Sequence, residues 1–100
     1  MKERCFIIGN LGEYSWKVRM ANMERRVNSK NFHGGCFEAV SPRTVLSGKE
    51  SRLKRNFKLR RAMRSCATVY VLSNYDKDAF ACKLLDIAIK RGKRVITEGC

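Results

Sequence analysis

Two loop segments hold the residues of this chain best suited to gripping a small polar ligand. Gly9-Asn10-Leu11-Gly12 offers two glycines for close backbone approach. Ser73-Asn74-Tyr75-Asp76-Lys77-Asp78 offers hydroxyl, amide and carboxylate groups beside an aromatic ring. Ser41-Pro42-Arg43 adds a rigid turn and a cation. Together these suit a nucleotide-like molecule, with close backbone approach at the glycines and free amides at the start of the helix near Asp78. The glycine spacing matches neither a full dinucleotide fingerprint nor a P-loop with its Lys and Ser/Thr. The ligand class is therefore suggested by where the loops fall and not by a motif. Of the nearby carboxylates, Asp78 reads as a helix cap and Asp86 as part of a polar helix face. Asp76 is left as a weak catalytic candidate.

Nothing in the sequence points to a metal or a cofactor. The five cysteines (Cys5, Cys36, Cys66, Cys82 and Cys100) are widely spread and odd in number, without a CxxC pair. Zinc sites want close pairs, and disulfide frameworks want even counts. Cys5, Cys36 and Cys66 fall at predicted strand starts, where a thiol serves as a small hydrophobe. His33 is the only histidine and reads as a solvated turn residue.

A second set of residues is purely cationic. The segment ESRLKRNFKLRRAMRS, residues 50–65, predicts a helix capped by Ser51. At 100° per residue, Leu53, Asn56, Phe57, Leu59 and Met63 gather on one side, with Lys54, Arg55, Lys58 and Arg61 on the other. Arg60 and Arg64 project within the apolar arc. Either their stems cover the core edge while the guanidinium groups reach water, or they meet a partner subunit or phosphate. With Arg52, these cations belong to a chain whose net charge is +13, from 22 Lys and Arg against 9 Asp and Glu. Such an excess draws an anionic partner, either an acidic protein or nucleic acid. No reading motif or row of stacking aromatics accompanies it, so any nucleic-acid contact would be sequence-independent.

The elements that must position these groups follow from periodicity. Cys5-Phe6-Ile7-Ile8-Gly9 is a short apolar run, the mark of a central buried strand. Ser15 can cap a helix in which Trp16, Met20, Met23 and Val27 form one apolar stripe. The Gly34-Gly35 pair turns the chain into a second strand, Cys36 to Val40, which Glu38 places at an edge and Pro42 stops. A third strand runs from Ala67 to Leu72. A very apolar helix from Asp78 to Arg91 then leads to a last strand from Arg94. That helix needs cover on two sides, from the sheet and from a second helix or a dimer partner, which predicts a homodimer or larger assembly.

The alternation of strand and helix predicts one α/β domain over residues 1–100, a three-layer α/β/α sandwich. Its four-stranded parallel sheet should have the order 2-1-3-4, a flavodoxin/Rossmann-like arrangement. In such sheets ligands bind beyond the strands' carboxyl ends where the winding reverses, here between strands one and three. No run approaches the length needed to cross a bilayer. Met1-Lys2-Glu3-Arg4 enters the first strand directly, which predicts a cytoplasmic protein.

On these features the chain resembles the nucleoside 2-deoxyribosyltransferase-like proteins, with their small bacterial and phage relatives. The resemblance covers nearly the whole length. It rests on Gly9-Asn10-Leu11-Gly12 after the opening strand, on Val40-Ser41-Pro42-Arg43, and on Cys66-Ala67-Thr68-Val69-Tyr70-Val71-Leu72. Tyr75 and Ala88-x-x-x-Gly92-Lys93-x-Val95-Ile96 complete it. It implies a phage or mobile-element protein acting in a bacterial or infected-host cytoplasm. It also implies a nucleophilic Glu where this chain has Leu84, an acid where it has Leu59, and Cys-Asp where it has Cys66-Ala67. A leucine cannot attack an anomeric carbon. The implied function is thus a non-catalytic member, a pseudoenzyme that binds a nucleotide or nucleotide-derived ligand. A docking module for an acidic partner and a nucleic-acid binder are the alternatives, and an active N-glycosidase or transferase is the least favoured.

Overall fold

The computed structural model describes residues 3–12, 14–30 and 32–98; Cys100, counted above, lies outside the described residues. Its four strands are β1 (Glu3–Ile8), β2 (Phe37–Val40), β3 (Thr68–Val71) and β4 (Arg94–Thr97). The helices are α1 (Trp16–Asn28), α2 (Pro42–Val45), α3 (Arg52–Arg64) and α4 (Ala79–Lys90), with a 3₁₀ turn over Tyr75–Lys77. The strands form one all-parallel sheet in the order β2-β1-β3-β4, as expected. This is a flavodoxin/Rossmann-like arrangement.

Strand alternation divides the core in two. Cys5, Ile7, Tyr70, Leu72 and Ile96 face α1, meeting Met20, Met23 and Val27. Phe6, Ile8, Val69 and Val71 face the other way, onto Leu59 and Met63 of α3 and Ala81, Leu84 and Ala88 of α4. Burial on both faces is why β1 and β3 read as unbroken apolar runs. One helix is too narrow to cover the whole first face. The turn before β2 completes the cover: Phe32 is buried there, edge-on to Phe37 and Tyr70 with ring centroids 6.0 and 5.3 Å apart. His33 is exposed at the turn's tip with a left-handed φ of 46°.

Several expectations are corrected. Cys36 lies outside β2 and is exposed, between the Phe32–Gly35 bridge and the first strand residue, Phe37. Cys5 and Cys66 are buried as expected. Ser15 precedes α1 without a side-chain cap bond. Pro42 does more than stop β2. Its fixed φ suits the first position of a helix, and it opens the single turn of α2. Ser51 and Asp78 cap α3 and α4 as predicted, accepting from Lys54 N and from Phe80 and Ala81 N.

The apolar arc of α3 is in fact two arcs. Leu59 and Met63 are fully buried against the sheet, whereas Leu53 is 83% and Phe57 65% exposed. Arg60 and Arg64 share the angular sector of Leu53 and Phe57, so they interrupt an outward face and not the core. On the supposed cationic side, Lys58 turns inward to Glu50 (2.7 Å) and Arg55 is half-buried. In α4, Ala81, Leu84 and Ala88 meet the sheet, while Ile89 stays exposed. No helix among the described residues is long and apolar enough to cross a membrane.

Candidate functional site at the carboxyl edge

The parallel sheet brings the ends of β1, β2 and β3 to one edge, and with them all three predicted loop segments. The loops after β1 and β3 are tied directly together. Asn10 N donates to Asn74 Oδ1 (3.3 Å) and Leu11 N donates to Asp78 Oδ2 (3.0 Å). The other oxygen of Asp78 accepts from Phe80 N (2.9 Å) and Ala81 N (3.3 Å). The α4 amides expected to be free for a ligand are therefore taken by the cap, and Asp78 is a brace between two loops. Gly9 has a packing reason as well. A Cβ there would lie 2.7 Å from Leu72 Cδ1, so any larger residue would have to displace that buried leucine.

The β2 end is held by a residue the sequence reading passed over. Glu24, buried on the inner side of α1, accepts from Ser41 Oγ (2.6 Å) and from Arg43 Nε (2.9 Å) and Nη2 (2.6 Å). Burial opposes its charged form, but the bonds from Arg43 and Ser41 outweigh burial and hold its carboxyl below the usual range. Ser41 and Pro42 are buried in this clamp, leaving Arg43 as the part of that segment within a ligand's reach. Glu98 does similar work beyond β4, accepting from Ser73 N (3.1 Å) and Arg19 Nη2 (2.6 Å), while Arg19 Nη2 also donates to Ser73 Oγ (3.1 Å).

Beside the clamp lies a hollow of about 350 Å³. Its walls are Trp16 and Lys17 at the start of α1, Arg43, the Leu46–Gly48 turn, Glu50, and Arg55 of α3. The Lys17 ammonium sits 5.8 Å from the Trp16 ring centre, a cation–π contact. Arg55 Nε is shut off from solvent with no hydrogen-bond partner among the described residues. Glu50 is engaged: Lys58 Nζ and the backbone of Ser47 and Gly48 bond it, holding its carboxyl well below the usual range. Three cations thus border an indole ring, and the carboxylate among them is already bonded.

Of the predicted ligand residues, Gly12, Ser73 and Asp76 are exposed at this edge and Asn10, Leu11 and Tyr75 half-exposed; Gly9, Ser41, Pro42 and Asn74 are buried. Of the basic helix, Arg55 reaches the hollow and Lys58 its supporting pair. Arg60, Arg61 and Arg64 lie further along α3, toward the opposite edge of the sheet. Leu59 and Leu84, the positions of the implied catalytic acids, are in one core cluster with Phe6, Ile8 and Val69. Trp16 and Lys17 went unnoticed as site residues because the stripe Trp16-Met20-Met23-Val27 reads as packing; Trp16 is only partly covered at its helix end. Comparison of the chain with protein-family models, with curated proteins and with solved structures finds no match.

Proposed function

We propose that the protein binds a nucleotide or nucleotide-derived anion at the carboxyl edge without transforming it. The observation that carries this reading is the hollow beside the Glu24 clamp. Its volume suits a small ligand. Trp16 offers a ring face for a base, and Lys17 and the guanidinium group of Arg55 offer charge for phosphates, beside an Arg43 already held by Glu24. The resemblance to the deoxyribosyltransferase-like proteins leads to the same ligand class. Binding without turnover is favoured because four carboxylates of this edge are committed, Glu24, Glu50, Glu98 and Asp78 each holding backbone or cationic groups, which leaves the exposed Asp76 as the candidate to test. Leu59 and Leu84 supply no nucleophile.

Thermal-shift screening with nucleotides, ADP-ribose compounds and cyclic dinucleotides tests it. A ligand at about a hundred times its Kd stabilises a fold by about 2.7 kcal/mol, a rise of some 10 °C or more in a domain of this size. Trp16→Ala and Arg55→Ala should each reduce that rise. No stabilisation by any member of the panel ends the proposal. Base release from nucleosides that disappears in Asp76→Ala would end its non-catalytic half.

A further inference from the structure

A second hollow lies between α3 and α4, on a different face from the one beside the Glu24 clamp, and has a volume of about 800 Å³. Its apolar surface comes from Leu53 and Phe57 of α3 and from Phe80 and Ile87 of α4. Leaving Leu53 and Phe57 in water, side by side along one helix face, forgoes the burial that such side chains ordinarily gain. The cations Arg60, Arg61, Arg64 and Lys83 border this apolar strip, and none of them is ion-paired with a described carboxylate. Asp86, an acid on the same lining, is paired with Lys90 at 3.0 Å. Asn56 adds a buried Oδ1 that has no donor among the described residues.

We propose that this groove docks an acidic amphipathic helical segment of another protein. The segment's apolar stripe would enter between Leu53, Phe57 and Phe80, and its carboxylates would meet Arg60, Arg64 and Lys83. From Leu53 to Arg64 the α3 wall rises about 16 Å, three turns, which matches anchors at i, i+4 and i+7 of a docked helix. Charge complementarity selects the occupant. A second copy would set the same four cations against themselves, since a two-fold contact repeats one patch on both sides. Nucleic acid would neutralise the cations but leave the aliphatic floor facing a charged backbone. An acidic helix satisfies both floor and rim, and unpaired rim charges speed its encounter.

The test is fluorescence anisotropy with a labelled designed helix carrying leucines at i, i+4 and i+7 and glutamates on both flanks. The same helix with lysines for glutamates, and a single-stranded oligonucleotide, run beside it. The glutamate helix should bind, and should weaken about tenfold with Phe57→Ser. It should weaken by about tenfold or more with Arg60→Glu/Arg64→Glu, and again as salt rises from about 50 to about 200 mM. The lysine helix should not bind. All three substitutions change exposed side chains, and a thermal melt of each variant checks its fold. If the double variant does not fold, Lys83→Glu on the opposite wall carries the same expectation. No binding of the glutamate helix at about 0.1 mM overturns the proposal, as does binding that these substitutions leave unchanged. It is also overturned if the oligonucleotide binds more tightly and is lost with the same substitutions. A dimer in sedimentation that Phe57→Ser dissolves would assign the groove to self-association instead.

Discussion

Replacing Asp78 by alanine removes three backbone hydrogen bonds at once, two at the start of α4 and one to the loop after β1. Loss of an N-cap costs about 1 kcal/mol. Loss of a bond between a charged group and a partly buried amide costs about 1.5 kcal/mol, the low end for such bonds. Together they amount to about 2.5 kcal/mol, a large share of a typical domain's 5–15 kcal/mol, and predict a fall in Tm of about 10–20 °C. Asp78→Asn keeps one acceptor oxygen. It should retain the cap, lose the tie to Leu11, and cost about half as much. Urea unfolding of the three proteins gives the ranking, and native-state hydrogen exchange gives the location. In the alanine variant the amides of Leu11, Phe80 and Ala81 should all lose protection; in the asparagine variant Leu11 alone should. A loss below about 0.5 kcal/mol in Asp78→Ala, the size of an ordinary surface substitution, refutes the brace.

Glu24, Glu50 and Glu98 are all held below the ordinary glutamate value of 4.5. The stability they add is therefore complete above about that pH and is lost as pH falls through their lower folded-state values. The urea midpoint should decline on acidification from about pH 5, and Glu24→Gln should make the decline shallower while lowering the plateau. Gly9→Ala places a methyl group against Leu72 and should cost about 1–3 kcal/mol, with part of it regained when Leu72→Val is added. Burial, with smaller contributions from the Cys66 thiol and Glu3, pushes the Cys5 thiol to about 12, and burial also raises Cys66. Mass-spectrometric mapping after brief iodoacetamide treatment should find Cys36 alkylated and Cys5 and Cys66 intact, the two buried thiols reacting only in denaturant.

The sheet order was legible because burial on both faces leaves a mark that composition cannot hide. Cys5 to Ile8 and Val69 to Leu72 carry no charge, whereas β2 and β4 carry Glu38 and Arg94. The caps at Ser51 and Asp78 were legible because capping is local chemistry. The clamps were not. Glu24 sits one position beyond Met23 on an amphipathic helix, where an acid reads as solvated, and its partner Arg43 is brought to it only by the β1-α1-β2 crossover. Arg19 and Glu98 stand near opposite ends of the described chain. Periodicity also cannot tell which half of a wide apolar arc meets the sheet. On α3, Leu53 and Phe57 looked equivalent to Leu59 and Met63, and only the seating of the helix on the sheet separates them. Gly9 read as room for a ligand because its neighbour Leu72 lies across the sheet and far along the chain.

The central place of β1 bears on how the chain assembles while it is being made. β1 pairs with β2 early in synthesis, but its other edge waits for β3. Until residues 68–71 leave the ribosome, the apolar ridge Cys5–Ile8 has one open side, the kind of edge on which strands of different molecules join. The segment synthesised in that interval is the cationic α3, whose like charges keep neighbouring nascent chains apart. A run of like charges made before such a sheet closes opposes edge-to-edge joining during the slow, non-local pairing of parallel strands.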